Sequence, residues 1–360
     1  MTNTKITDHN DKNLRFTIPS KSKIDKAGRT LKDPTATEQE IVEAILTLSH
    51  WRGLHSHALN SLQAMLIQRA KNYPNSTVAQ RLKRLPSILN KLSRLSSRLS
   101  QMQDIAGLRV IVETTEQARL FHKNLVRHHS NHEVILPPTD YIENPKESGY
   151  RSIHQIFEYR NKSHEELNTL KVEVQIRSLL QHSWATAVET LGAIEHSSFK
   201  TGDGSDQFKQ FFKLASALIS YEENTPILKE FSQRDIRSIV KEFEKLEQDL
   251  NIFKKLKSVT IATKNVIGFH KSHYQLLILD TTKEKLDLIP FDKKQADLAE
   301  TTYSHMEAAC KNDPTKLVVL ISAGDLQSIQ KAYPNYFLDT KYFIDTLRKI
   351  CAKINKQNNN

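Results

Sequence analysis

Two carboxylates stand where acids are uncommon. Asp104 opens the apolar stretch DIAGLRVIV and Glu173 lies inside KVEVQIRS, both patterned as short strands. If those strands are neighbours in one sheet, the two carboxylates converge at one end and can hold Mg²⁺ through hard oxygen ligands. Taken singly, each acid is more simply a strand cap or the partner of a nearby arginine. Their company changes the balance. Each strand carries a further arginine, Arg109 and Arg177, and residues 71–103 hold Lys71, Arg81, Lys83, Arg84, Lys91, Arg94 and Arg98 without one acid. Such a run repels itself unless it faces phosphates or solvent. The segment YIENPKESGYRSIHQ (141–155) adds Lys146, Arg151 and His154, with Tyr150 directly after Gly149. Cations for phosphate oxygens, a bridging Mg²⁺ and a carboxylate able to accept a proton are what phosphoryl chemistry requires. The Tyr150 ring reads either as a stacking platform for a base or as core packing.

Several classes are excluded or disfavoured. No GxxxxGK[ST] motif occurs, so a Walker-type ATPase is ruled out. Cys310 and Cys351 are far apart and in no Cys-x-x-Cys spacing, which indicates neither a disulfide framework nor a cysteine zinc site and fits a reducing compartment. His55, His57 and the other histidines form no defensible ligand set. No apolar run of about 18 residues is present, so a cytoplasmic protein that neither spans a membrane nor is exported is expected. With 52 Lys+Arg against 41 Asp+Glu, a net charge of +11, anionic partners such as nucleotides or nucleic acid are favoured, although a merely solvated basic surface reads equally well.

The blocks RLKRLPSILNKL, MQDIAGLRV, DYIENPKESGYRSIH and VEVQIRSLLQHSWA occur in the order and spacing of the RelA/SpoT-type synthetase domain, and the resemblance covers about residues 78–196. Enzymes of that family move a pyrophosphate from ATP to a ribose 3′-hydroxyl. The resemblance implies a nucleotidyltransferase-like α+β fold, a mixed sheet flanked by helices. It assigns Arg81, Lys83, Ser87 and Lys91 to the ATP phosphates and adenine, with Arg109 assisting. Asp104 and Glu173 would bind Mg²⁺, and Glu173 would also accept the proton of the acceptor hydroxyl. Lys146, Tyr150 and His154 would form the acceptor side, Tyr150 by stacking, with Gln175 and Arg177 supporting the floor. Long members of the family begin with a hydrolase domain marked by an adjacent His-Asp pair; this sequence has no such dipeptide, so hydrolysis of its own product is not expected.

The stretch following Trp184, together with HWRGLHSHALN and AYPNYFLDTKYF, resembles the fused toxin-antitoxin branch called CapRel. In that branch the synthetase domain pyrophosphorylates the 3′ CCA end of tRNA, and a C-terminal domain inhibits it until a phage protein binds. A Tyr-x-x-Tyr element of that domain blocks the ATP site, and Tyr333 and Tyr336 match the pattern. Core packing of both tyrosines is the equal alternative. GDP or GTP is the other acceptor the family implies, giving (p)ppGpp.

These residues must be positioned by a definite set of elements. Residues 1–37, polar and poor in apolar content, read as a flexible arm. Thr37, with Glu40 three residues on, caps a helical stretch to Asn72 that is expected to bend near Gly53 into two helices. Beyond the basic run come a strand at DIAGLRVIVET, a helix at TEQARLFHKNLVRHH, a hairpin of SIHQIFEYR and KVEVQIRS, and a helix from Leu179. This region, 38–200, is expected to form the catalytic domain. The break KTGDGSDQ precedes connecting helices over 201–256, and 257–360 reads as a smaller C-terminal α+β regulatory domain, with strands at SVTIATK, YQLLILDTTKEKLDLIPF and KLVVLISA and helices at DLQSIQKAY and KYFIDTLRKICAKI.

Overall fold

The computed structural model describes residues 16–94, 98–128, 131–194, 205–258, 266–267, 272–280, 282–283, 285–310, 313, 316–322 and 340–356. The expected α+β class is observed: a mixed sheet flanked by helices. Its first five strands are β1 (Thr77–Leu82), β2 (Ala106–Val112), β3 (Glu133–Asp140), β4 (Ile153–Glu158) and β5 (Lys171–Ser178). Among the described residues the strand order is β3-β4-β5-β2-β1, continuing into four C-terminal strands. β2 and β5 run parallel, whereas β1–β2, β3–β4 and β4–β5 are antiparallel. The parallel pair needs a crossover, supplied by α4 (Thr115–Arg127) and the β3–β4 hairpin.

Leu108, Val110, Val172, Val174, Ile176 and Phe157 turn one face of this sheet into a core, closed by Leu59, Leu62 and Leu66 of α2 (Glu38–Ala70) and by Phe121 of α4. α2 starts as expected at a Thr37–Glu40 capping box, but it is one uninterrupted helix. Gly53 marks no bend there. A Cβ at that position would meet the Glu300 carboxylate at 2.6 Å, so its small size admits a neighbour. The expected flexible arm also differs. Residues 21–30 form helix α1 (Lys21–Thr30), capped by Ser20, with Ile24 packed among Leu48, Trp51 and Leu99, while residues 1–15 lie outside the described set. A short apolar stripe is enough because α2 offers a preformed surface.

The helices after β5 do more than connect. α5 (Leu179–Ile194), α6 (Asp206–Glu222), α7 (Ile236–Leu250) and α8 (Ile252–Ser258) share one apolar cluster that includes Trp184, Phe211, Phe243 and Phe253. The last helix, α10 (Lys341–Lys356), belongs to the same cluster through Phe343, Ile344, Leu347, Ile350 and Ile354. The boundary expected at 257 therefore does not separate two cores. The stripe of α10 matches the helical layer rather than the C-terminal strands.

Those strands are β6 (Val266–Ile267), β7 (Tyr274–Asp280), β8 (Lys285–Phe291) and β9 (Lys316–Ser322), covered by α9 (Ala296–Ala309) through Ala299 and Tyr303. Among the described residues β9 pairs antiparallel with β1, Arg81 lying opposite Ile321. The helix expected at DLQSIQKAY, the strand expected at SVTIATK beyond its first residue, Ser258, which ends α8, and both Tyr333 and Tyr336 lie outside the described residues. Among the described residues no helix is long and apolar enough to cross a membrane.

Candidate active site

Strand register gathers the chemistry. Arg81 lies opposite Gly107, Gly107 beside Glu173, Arg109 beside Gln175, and Gln175 opposite His154. Because side chains alternate along a strand, Arg81, Arg109, Glu173, Gln175, Arg177 and His154 all stand on the face that is not packed by α2 and α4. Apolar residues at the intervening positions fix this register, since a one-residue slip would put the charges into the core. Asp104 lies two residues before β2 begins. Ser87 and Lys91 lie four residues apart on α3 (Leu85–Arg94), one turn from each other and on one face.

Two charged clusters result. In the first, Asp104 Oδ2 accepts hydrogen bonds from Lys83 Nζ at 3.0 Å and from Lys91 Nζ at 2.8 Å. Burial pushes the Asp104 carboxyl up, but the two ammonium groups outweigh it and hold the pKa below the ordinary value, with Glu173 opposing them. Asp104 Oδ1 is buried and makes no hydrogen bond. In the second, five side chains close a ring. His154 Nδ1 lies 2.8 Å from Glu173 Oε1 and His154 Nε2 lies 2.8 Å from the Tyr150 hydroxyl. Arg177 Nη2 donates to that hydroxyl at 2.5 Å and to Gln175 Oε1 at 2.6 Å. Gln175 Nε2 closes the ring on Glu173 Oε2 at 2.6 Å.

Electrostatics polarises the ring. Burial raises Glu173, yet His154 and the Gln175 amide reverse that and bring its pKa to about 2. Burial lowers His154, but the Tyr150 hydroxyl and the Glu173 carboxylate win, and its pKa rises above the ordinary value. Both partners favour the protonated ring, the form in which each nitrogen donates. A carboxylate this acidic is a good cation ligand and a weak base.

The loop between β3 and β4 is built backbone-first. Gly149 N–H donates to Lys146 O at 2.8 Å and Lys146 N–H to Tyr150 O at 3.2 Å, a turn that sets Gly149 at φ +92°. That is the region where only glycine sits without strain. Space requires glycine as well, because a Cβ would lie 2.7 Å from Ser216 Cβ and 3.2 Å from the Trp184 ring. Ser216, on α6, donates to Gly149 O at 2.7 Å and accepts from Arg151 Nε at 3.1 Å. The loop is therefore riveted to the helical layer.

The expected acceptor side needs one correction. Tyr150 is only 8% exposed and belongs to the core cluster with Trp184, so it presents no open stacking face here. Lys146 Nζ lies 5.2 Å from its ring centroid, and the Arg177 guanidinium 4.9 Å. Tyr141, which the sequence reading passed over, joins the group: Lys146 Nζ lies 4.5 Å from its ring, and its ring packs edge-on against His154 at 5.1 Å. Its signal was available, since it opens the same loop. Ser216 gave none, being 67 residues from Gly149.

A divalent cation fits the residues present. Mg²⁺ typically takes one or two carboxylates together with waters and substrate phosphates. Asp104 supplies a buried oxygen with no other partner, and Glu173 an ionised carboxylate close enough to influence it. Among the described residues no group of three or more acidic, histidine or cysteine side chains forms a self-sufficient metal cage.

Residues 80–202 match the RelA_SpoT family model, described as a region found in RelA / SpoT proteins. Among curated proteins, GTP pyrophosphokinase YjbM of Bacillus subtilis (strain 168) is 35% identical over 127 residues, 34% of this chain and 56% of that protein. GTP pyrophosphokinase YwaC of the same organism is 32% identical over 121 residues, 31% of this chain and again 56% of that protein. The chain thus spans little more than half the length of these relatives. Of solved structures, small alarmone synthetase 1 from Bacillus subtilis bound to its product pppGpp aligns at TM-score 0.40 and 29% identity, over 48% of this chain and 90% of that one. A GTP pyrophosphokinase family protein from Streptococcus pneumoniae aligns at TM-score 0.42 and 25% identity, over 59% of this chain and 98% of that one.

Proposed function

We propose that this chain, whose residues 80–202 match the RelA/SpoT family model, is an ATP pyrophosphokinase that transfers the β,γ-pyrophosphate of ATP to a ribose 3′-hydroxyl. The observation that carries this reading is the pairing of an Asp104 cluster rich in lysine with an ionised Glu173 on one sheet face. The acceptor 3′-hydroxyl attacks the β-phosphorus, the bond to the α-phosphate oxygen breaks, and AMP leaves. Arg81, Lys83, Ser87, Lys91 and Arg109 hold the ATP phosphates and adenine. Asp104 and Glu173 would hold Mg²⁺, which when bound neutralises charge on the phosphate oxygens. Glu173 accepts the hydroxyl proton. Its pKa of about 2 suffices because a loose transition state asks little of the base. Lys146, Tyr150 and His154 orient the acceptor, braced by Gln175 and Arg177. Positioning and charge neutralisation supply most of the rate.

The acceptor we assign is the 3′ CCA end of tRNA, in an enzyme restrained by its C-terminal region through Tyr333 and Tyr336 and released by a phage protein. The net charge of +11 supports a polyanionic acceptor. A second reading, GDP or GTP as acceptor, is favoured by the relatives named GTP pyrophosphokinases. Incubation with γ-labelled ATP and both tRNA and GDP separates them, using the full chain and the Tyr333→Ala/Tyr336→Ala variant. Label on tRNA, stronger in the variant, supports the first reading. Label only on guanosine nucleotide selects the second, and no transfer to either sinks both.

A further inference from the structure

We propose that Glu307, on α9 of the C-terminal strand module, is a positioning residue for the ATP side of the site, acting through α3. Its carboxylate is 5% exposed and serves groups on three elements. Oε2 accepts from Arg52 Nη1 of α2 at 2.9 Å, while Oε1 accepts from the Leu85 backbone N–H at 2.6 Å and from the Tyr303 hydroxyl at 3.1 Å. Leu85 is the first residue of α3, the helix that carries Ser87 and Lys91.

The first N–H groups of a helix have no acceptor within it, and the partial positive charge there favours an acid. Glu307 fills that role from 222 residues away in sequence. α3 in turn places Lys91, whose ammonium reaches Asp104 at 2.8 Å. A chain of direct contacts therefore runs from α9 through Leu85 and one short helix to the lysine-bound carboxylate.

Arg52 locks the other end. It is 3% exposed, and its guanidinium lies 5.0 Å from the Tyr303 ring centroid. A buried arginine deprived of its carboxylate is strongly disfavoured, so α9 cannot slide along α2 while Glu307 stays with Leu85. One side chain thus fixes both the seat of the C-terminal module and the start of the ATP-side helix. The acceptor loop is fastened separately, by Ser216 on α6, so a disturbance at Glu307 reaches ATP and leaves the acceptor alone.

This inference rests on the assignment of α3 to ATP given above, and the test separates the two. In the full chain, Glu307→Asp keeps a charge beside Arg52 but draws the carboxylate back from Leu85, whereas Glu307→Gln keeps the reach and loses the charge. Amide exchange over α3, the melting temperature, equilibrium binding of a non-hydrolysable ATP analogue, and steady-state transfer are measured for both. Glu307→Asp is expected to speed exchange in the first turn of α3 and to raise the KM for ATP by up to about tenfold, the worth of one hydrogen bond, with the acceptor KM unchanged. Glu307→Gln keeps one oxygen for Leu85 but turns an NH₂ toward Arg52, so it is expected to lower the melting temperature while α3 exchange and the KM for ATP stay near the parent. The reverse order, unchanged α3 exchange in Glu307→Asp, or equal rises in both KM values would overturn the proposal. If the parent protein binds no ATP analogue, the pyrophosphokinase reading fails, and the exchange data still decide whether Glu307 holds α3.

Discussion

Glu173 and His154, on adjacent antiparallel strands, share a 2.8 Å contact that pulls their pKa values in opposite directions. Glu173, ordinarily at 4.5 and here at about 2, contributes stability that is present above 4.5 and lost as pH falls toward 2. His154, raised above 6.5, contributes stability that is complete below 6.5 and lost as pH rises through its folded value. The stability difference between the parent and His154→Gln is therefore expected to peak between pH 4.5 and 6.5 and to shrink on either side. Urea unfolding across pH checks it; a difference independent of pH would show that the pair is not charged as described.

Glu173→Gln keeps the size of the side chain and removes its charge. Transfer is expected to fall by roughly 10²–10⁴-fold, from loss of a carboxylate that accepts the proton and would also hold Mg²⁺, with the fold retained. Single-turnover assays with labelled ATP, alongside circular dichroism, make the measurement. Undiminished transfer would remove Glu173 from the chemistry.

Gly149→Ala meets both a disfavoured φ of +92° and the side chain of Ser216. A loss of about 1–3 kcal/mol of stability is expected from the backbone alone. Ser216→Ala, which strips partners from Gly149 O and Arg151 Nε, is expected to cost about 1–3 kcal/mol by leaving buried polar groups unmet. Denaturant titration of both variants would read these values, and a neutral Gly149→Ala would mean that the loop moves freely.

Ending the chain near residue 257 removes α10 and with it Phe343, Ile344, Leu347, Ile350 and Ile354 from the helical core. Because a single large-to-small change in a core costs about 2–5 kcal/mol, such a truncation is expected to be insoluble or unfolded. Release of restraint is better probed by point substitution at Tyr333 and Tyr336. A soluble, cooperatively melting truncation would contradict the shared core.

The strands carrying Arg109, His154 and Glu173 were legible because their apolar residues alternate, and the helices from Thr115, Leu179, Asp206 and Lys341 because theirs recur at helical spacing. Other elements escaped notice, α1 and α3 among them. β1 hides inside the basic run, where the buried Leu82 alternates with Arg81 and Lys83. β3 contains Pro137 and Pro138, which speak against a strand unless it lies at an edge, as this one does. α9 could have been found from Ala299, Tyr303 and Met306. In the site, residue types were readable, but their wiring was not. That Asp104 is held by two lysines, that Tyr150 is covered, and that Ser216 and Glu307 matter at all are products of contacts between distant segments, which no local pattern encodes.

Among the described residues β1 and β9 register at Arg81 and Ile321, whereas β7 and β9 pair along seven residues. Grafting a different strand-edged module beside β1 would leave the pairing of β1 with β2 and of β2 with β5 intact. Any such graft would have to bring its own acid for Leu85 and Arg52, or else adopt a different first turn for α3. Diversification by swapping modules is thus constrained at one buried carboxylate, not along the sheet edge where the two halves visibly meet.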